Sequence, residues 1–181
     1  MKSESNYSIK KILQYSYTFL IFLMIIPTVY SIVILNIHTK KYDQIITNVS
    51  YANDINQIAK TTIPDELWDI VCGRKDFSQG NQYIMLNEIF SGIQAMKMNS
   101  KDSINQEKLE VAFRTCTTLS NNIKKLEQQI AKGYSVKENE AFLDDIRTIT
   151  ALFSDVMQDF IMSEISIANQ TNKSIKISSI T

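Results

Sequence analysis

The segment LEVAFRTCTTLSNNIKKLEQQI, residues 109–130, decides the fold of this chain of 181 residues. Its apolar or small residues recur at alternating spacings of three and four, at Leu109, Ala112, Cys116, Leu119, Ile123, Leu126 and Ile130. This spacing places them on one face of a helix, and such a face packs against other helices. Gly133 follows the last apolar position, and a glycine commonly lies just after the end of a helix. The pattern therefore predicts one long helix that ends there.

The residues after Gly133 predict a second long helix. Ser135 and Glu138 have the spacing of a capping box, in which each side chain satisfies a free backbone amide at a helix start. Behind them, apolar residues continue the three-four spacing for about 26 residues, at Phe142, Ile146, Ile149, Phe153, Val156, Phe160 and Ile167. This stripe also needs helical partners.

The residues before 109 supply two further helical stripes. One runs from about Asn81 to Met98, with its apolar face at Leu86, Ile89, Ile93 and Met96. An earlier one has apolar or small residues at Ile45, Val49, Ala52, Ala59 and Ile63. It is predicted to end at about Thr62, because the residue before Pro64 disfavours helical geometry. The stretch from Pro64 to Ile70 then suggests a short new helix, and residues 73–80 read as the main loop.

The first helix begins in an uncharged stretch, YTFLIFLMIIPTVYSIVILNI, at residues 17–37. As a helix its 21 residues span roughly 31 Å, which is enough to cross a hydrocarbon core of about 30 Å. A cleaved signal peptide is the alternative, because Lys10 and Lys11 precede the apolar run. The run exceeds the usual apolar core of such a peptide, about 7–15 residues, and no small-residue cleavage site follows it. An uncleaved anchor is therefore expected.

These patterns predict an all-α protein in which an N-terminal transmembrane helix continues into an antiparallel four-helix bundle. We expect a short cytoplasmic N-terminus at residues 1–16, the transmembrane helix at 17–37, an extracytoplasmic helical bundle at 38–174 and a juxtamembrane tail at 175–181. The cytoplasmic placement of the N-terminus follows from a modest excess of positive charge on that side of the span.

Composition excludes several functional classes. Residues 38–181 contain 16 Lys and Arg against 18 Asp and Glu, so the concentrated basic surface that nucleic-acid binding requires is lacking. The chain has 4 Gly and 2 Pro, with no glycine-rich phosphate loop and no Gly-x-Ser-x-Gly elbow. A lone histidine, His38, and two distant cysteines supply no closely spaced ligand set for a metal. No catalytic residue, cofactor or metal is predicted.

Two groups of side chains remain as candidate sites. Aromatic and cationic side chains surround the predicted loop and suit an anionic or amphipathic small molecule. These residues are Trp68, Arg74, Lys75 and Tyr83. The alternative is that Trp68 covers one end of the bundle and the cations are solvated. Cys72 and Cys116 would form a disulfide only if the domain faces an oxidising exterior and their α-carbons approach within about 7 Å.

Two segments carry a resemblance, YDQIITNVSYAN at residues 42–53 and IPDELWDIVCGRKDF at 63–77. The chain resembles the extracytoplasmic input region of bacterial sensor histidine kinases. The resemblance implies a homodimer anchored in the bacterial cell membrane, whose bundle detects a small extracellular ligand or a partner protein. The signal would pass by helix movement through a second membrane span to a cytoplasmic kinase in a two-component system.

The sequence lacks the catalytic half of a sensor histidine kinase. It has no second apolar span, no phosphoacceptor histidine motif and none of the boxes that bind ATP, so we expect no kinase activity from these residues. We expect a truncated product, with the missing span and kinase encoded downstream. The alternatives are the input domain of a chemotaxis receptor or cyclic-dinucleotide enzyme, or a stand-alone single-span interaction protein.

Overall fold

The computed structural model describes the backbone of residues 3–178 and the side chains of residues 10–171. Within this range the structure is helical and contains no strand, which confirms the all-α class. The helices are α1 (Ser3–Gln57), α2 (Ile63–Val71), α3 (Gln82–Asn99), α4 (Ser103–Ala131) and α5 (Val136–Ser178). The chain divides into two compact units, residues 1–43 and 44–181.

The first unit consists of the N-terminal part of α1. In the described part of the chain, the helix that begins in this unit is the one long and apolar enough to cross a membrane, and its most apolar stretch is not buried inside the protein. The helix continues through Pro27. At the next residue, the hydroxyl of Thr28 donates to the carbonyl oxygen of Met24 at 2.8 Å, so this polar group is satisfied within the helix.

The helix does not end before Pro64, contrary to the sequence prediction. Between α1 and α2 the residues Ile58–Thr62 form a π-helical turn, and the N–H of Ile63 donates to the carbonyl oxygen of Ile58. A proline lacks an N–H and crowds the carbonyl four residues earlier, here that of Lys60. The wider π turn accommodates this crowding without breaking the helix. Asp65 and Glu66 then lie in the first turn of α2.

The core of the second unit lies among α1, α2, α3, α4 and α5. On α3 and α4 the predicted apolar faces are buried as expected, except that Ile130 is only partly buried. On α5 the prediction was partly wrong. Ile146, Phe153 and Phe160 are buried, but Phe142, Ile149 and Val156 only flank the core. The remaining buried positions among the described side chains of that helix are Asn139, Leu143, Thr150, Ser154, Met157, Glu164 and Ala168.

The connection between α4 and α5 has the geometry that the sequence predicts. Gly133 has φ +78°, a conformation that side chains other than glycine rarely adopt. The backbone N–H of Ser135 donates to the carboxylate of Glu138 at 2.8 Å, and the N–H of Glu138 donates back to the Ser135 hydroxyl at 3.4 Å. These two bonds form the capping box.

The C-terminal helix extends into the segment that the sequence assigned to a juxtamembrane tail. α5 continues to Ser178, beyond the boundary at residue 174 where the sequence suggested a tail. The last part of that predicted tail, residues 179–181, lies outside the described residues.

Candidate functional site

The loop between α2 and α3 carries the residues that the sequence singled out for ligand binding. The chain leaves α2 through Gly73, which has φ +71°, and a 3₁₀ turn at Phe77–Gln79 leads towards α3. The glycine is required there because residues with a Cβ rarely adopt positive φ. The loop therefore has a defined backbone path.

Lys75 is held by the protein's own carboxylate. Its ammonium group forms an ion pair with Glu66 on α2, and the same carboxylate oxygen accepts the backbone N–H of Asn81 at 2.9 Å. The hydrogen bonds from Lys75 and Asn81 lower the pKa of the Glu66 carboxyl below its ordinary value. Glu66 thus links both sides of the loop to α2.

The other three residues of the predicted site each contact a different partner. The Arg74 guanidinium pairs with the carboxylate of Asp69 at 3.0 Å. The Trp68 ring lies 5.6 Å from the guanidinium carbon of Arg147 on α5, within cation–π range. The hydroxyl of Tyr83 donates a hydrogen bond to the carboxylate of Glu127 on α4 at 2.6 Å. Burial together with this bond raises the pKa of the Tyr83 phenol.

These contacts agree in part with the alternative interpretation, in which Trp68 covers one end of the bundle and the two cations are solvated. Both cations are neutralised by carboxylates, so neither offers an uncompensated charge to an anionic molecule. Trp68 packs against the core, as a residue covering the bundle end would, but Lys75 is paired rather than solvated. Ligand binding at Trp68, Arg74, Lys75 and Tyr83 stays a prediction.

The two cysteines are free thiols. Cys72 is half-buried beside the loop, and Cys116 is buried in the core on α4. Burial raises the pKa of the Cys116 thiol to about 12, so almost none of it is thiolate at neutral pH and it is a poor nucleophile. Within the described part of the chain, no group of three His, Cys, Asp or Glu side chains is placed to hold a metal ion.

A buried polar cluster that the sequence interpretation missed joins three helices. Its members are Asn48 on α1, Asn105 on α4 and Glu164 on α5, and their exposed fractions are 1%, 0% and 4%. The side-chain amide of Asn105 donates to Glu164 Oε1 at 2.7 Å. The amide of Asn48 donates to Glu164 Oε2 at 3.4 Å. We call these three residues the polar cluster.

The electrostatics of the polar cluster are dominated by desolvation. Burial raises the pKa of the Glu164 carboxyl, the amide donors of Asn105 and Asn48 oppose that rise, and the charge of Asp102 adds to it. Among the described residues, no lysine or arginine forms an ion pair with Glu164. The arrangement can therefore hold a proton more tightly than an exposed glutamate does.

A signal for the polar cluster was present in the sequence. Each member continues the spacing of a buried face, with Asn48 between Ile45 and Ala52 and with Glu164 four residues after Phe160. Asn105 lies four residues before Leu109 in the same way. Counting apolar residues alone skips such positions, whereas a polar residue in register with a core face is a buried polar candidate.

Comparison with known proteins adds no relative to this description. No protein-family model matches the chain, and neither the curated proteins nor the solved structures contain a significant match.

Proposed function

We propose that this chain is the membrane-anchored sensory input domain of a sensor histidine kinase, with its helical bundle outside the cytoplasmic membrane. The observation that carries the proposal is the course of α1. The same helix contains the exposed apolar stretch and, further along, the buried residues Ile45, Ala52 and Ile55 of the helical core. A continuous helix of this kind is suited to relay a change in the bundle to the membrane.

The proposed domain is an antiparallel four-helix bundle in which α1 and α2 together form the first helix. For α3 and α4, the pairs Lys97–Glu110 and Tyr83–Glu127 support this arrangement, because the numbers rise along one helix as they fall along the other. For α1–α2 and α5, the contacts Asn48–Glu164 and Trp68–Arg147 support it in the same way.

The orientation in the membrane is tested by cysteine labelling on intact cells. Both native thiols are removed by Cys72→Ser and Cys116→Ala, and a single probe cysteine is introduced. Ser100 would be a poor position although it lies between α3 and α4, because its side chain is only 7% exposed. The neighbouring Lys101 is exposed and serves instead.

With Lys101→Cys we expect reaction with a membrane-impermeant thiol reagent before lysis. The matched control is Lys10→Cys on the other side of the apolar stretch, which we expect to react only after lysis. The reverse pattern would place the bundle in the cytoplasm and contradict the external-sensor proposal.

The connection to a kinase is tested by the genomic sequence downstream of the Thr181 codon. We expect it to encode, in this or a shifted frame, an apolar segment of about 20 residues followed by a histidine-kinase core. A chemotaxis or cyclic-dinucleotide module in its place would identify the alternative receptor classes. A run of unrelated genes would favour a single-span interaction protein.

A further inference from the structure

We propose that the polar cluster of Asn48, Asn105 and Glu164 is a proton-binding site through which the bundle responds to pH. The proposal names the cue for the sensory function proposed above and rests on it only for the signalling consequence. The binding of the proton itself is a property of the folded bundle and is tested separately.

The first argument is the placement of an uncompensated carboxylate where three helices meet. Glu164 lies on the buried face of α5, in register with Phe160 and one turn from Ala168. The groups that donate hydrogen bonds to its carboxylate in the described structure are the two uncharged amides of Asn48 and Asn105. A buried carboxylate without a cation is costly when ionised, so a proton is the ligand that such a site favours.

The second argument is that the two amides can serve either protonation state. In the observed arrangement both amides donate to the carboxylate, which suits the ionised form. Their own oxygens, Oδ1 of Asn48 and of Asn105, are buried and have no hydrogen-bond partner among the described residues. A protonated Glu164 needs an acceptor for its O–H, and a half-turn of one amide would supply one of these oxygens.

The longer of the two hydrogen bonds identifies the amide that turns. The contact from Asn48 measures 3.4 Å, against 2.7 Å for that from Asn105. Reversing the Asn48 amide breaks the weaker of the two hydrogen bonds. We therefore infer that this amide becomes the acceptor when Glu164 is protonated. Because Asn48 lies on α1 and Glu164 on α5, proton binding changes the link between these two helices.

The charged surroundings determine the direction of the pH response. Asp102, at the N-terminus of α4, is the titratable residue whose charge acts on Glu164 from another helix, and it disfavours ionisation. From α1 the facing group is the uncharged Asn48, and α4 contributes the uncharged Asn105. With the pKa of Glu164 raised in the folded state, its stabilising contribution is complete at low pH and is lost as pH rises through that pKa.

The test compares thermal unfolding of the full-length chain in detergent micelles between pH 4 and pH 8. The variant Glu164→Gln is permanently neutral and keeps both donor and acceptor groups. We expect it to unfold at nearly the wild-type temperature at pH 4 and at a progressively higher one towards pH 8. A tenfold change in proton affinity corresponds to a shift of about 3–6 °C for a domain of this size.

The matched control is Asp155→Asn, an acid-to-amide change at an exposed position of α5. The difference in unfolding temperature between Asp155→Asn and the wild type should vary little with pH. If the corresponding difference for Glu164→Gln is constant, or grows towards low pH, the proposal is overturned.

A measurement on the wild-type chain covers the case in which Glu164→Gln does not fold. Carbon-13 NMR of the labelled glutamate carboxyls should show one residue that titrates above the others. Loss of that resonance in Glu164→Asp would assign it, and a Glu164 that titrates with or below the exposed glutamates would overturn the proposal. A raised titration in a bundle that proves cytoplasmic would keep the proton site and reject the external sensor.

Discussion

Gly92 on α3 lies directly against the side chain of Ile55 on α1. A Cβ at this position would lie 2.7 Å from Cγ2 of Ile55, a side chain that is itself buried. We therefore expect Gly92→Ala to destabilise the fold by about 1–3 kcal/mol through overpacking, although alanine is the better helix former. Urea unfolding followed by circular dichroism measures the change.

Ser91→Ala provides the control for Gly92, since it adds no atoms at an exposed position of the same helix. We expect it to leave stability unchanged or slightly raised. If Gly92→Ala were equally harmless, the close approach between α3 and α1 would be wrong.

The two thiols differ in accessibility, and this difference is measurable. Cys72 is half-buried beside a loop, whereas Cys116 is buried and has its pKa raised to about 12. With a chromogenic disulfide reagent at pH 8 we expect one thiol to react in the native protein and the second only in denaturant. Cys72→Ser should abolish the native reaction. A native reaction that survives this change would contradict the burial of Cys116.

At the scale of elements, Glu66 is the residue that joins α2 to the loop and to the start of α3. We expect Glu66→Gln to destabilise the protein by about 1 kcal/mol near pH 7, because charge-assisted hydrogen bonds are replaced by weaker ones. The pKa of Glu66 is lowered in the folded state, so its contribution is present above the unfolded pKa and lost as pH falls through the folded pKa.

The measurement for Glu66 is the difference in unfolding free energy between wild type and variant as a function of pH. This difference should shrink towards pH 3. Its sign is opposite to that expected for Glu164, because near neutral pH the wild type should be more stable than Glu66→Gln but less stable than Glu164→Gln. A difference that stays constant down to pH 3 would mean that Glu66 is not held in its ionised form by Lys75.

The faces between helices are tested by placing a charge in the core. Leu119 on α4 and Phe153 on α5 both have an exposed fraction of 0%. We expect Leu119→Asp and Phe153→Asp to cost several kcal/mol, because an unpaired carboxylate would be buried, and this approaches a typical total stability of about 5–15 kcal/mol. Asp145→Asn, at an exposed position of α5, should have little effect on the thermal unfolding temperature. If the core variants and Asp145→Asn unfolded at the same temperature, the assignment of Leu119 and Phe153 to the buried helix faces would be wrong.

At the scale of the whole molecule, the second unit contains the whole of the buried hydrophobic cluster, from Ala52 to Phe160. We therefore expect residues 44–178, expressed without the apolar stretch, to fold in water into a helical domain. Far-ultraviolet circular dichroism and a cooperative melt measure this. A fragment that is unfolded or requires detergent would mean that the first unit contributes to the stability of the core.

The sequence by itself determined the features that depend on short spacings. The face of α4 from Leu109 to Leu126, the glycine at 133 and the capping box at residues 135–138 are local, because each involves residues at most four apart. The helical class and the length of the apolar stretch follow from the same local patterns. They required no knowledge of what the helices contact.

Only the tertiary structure decided how these elements meet. The passage of the helix through Pro64 depends on a π turn, and the buried face of α5 depends on which side of it faces α4. The polar cluster joins Asn48 to Glu164 across 116 positions of sequence. No local pattern pairs residues so far apart, because the pairing arises when packing removes both side chains from water and each must find a hydrogen-bond partner there.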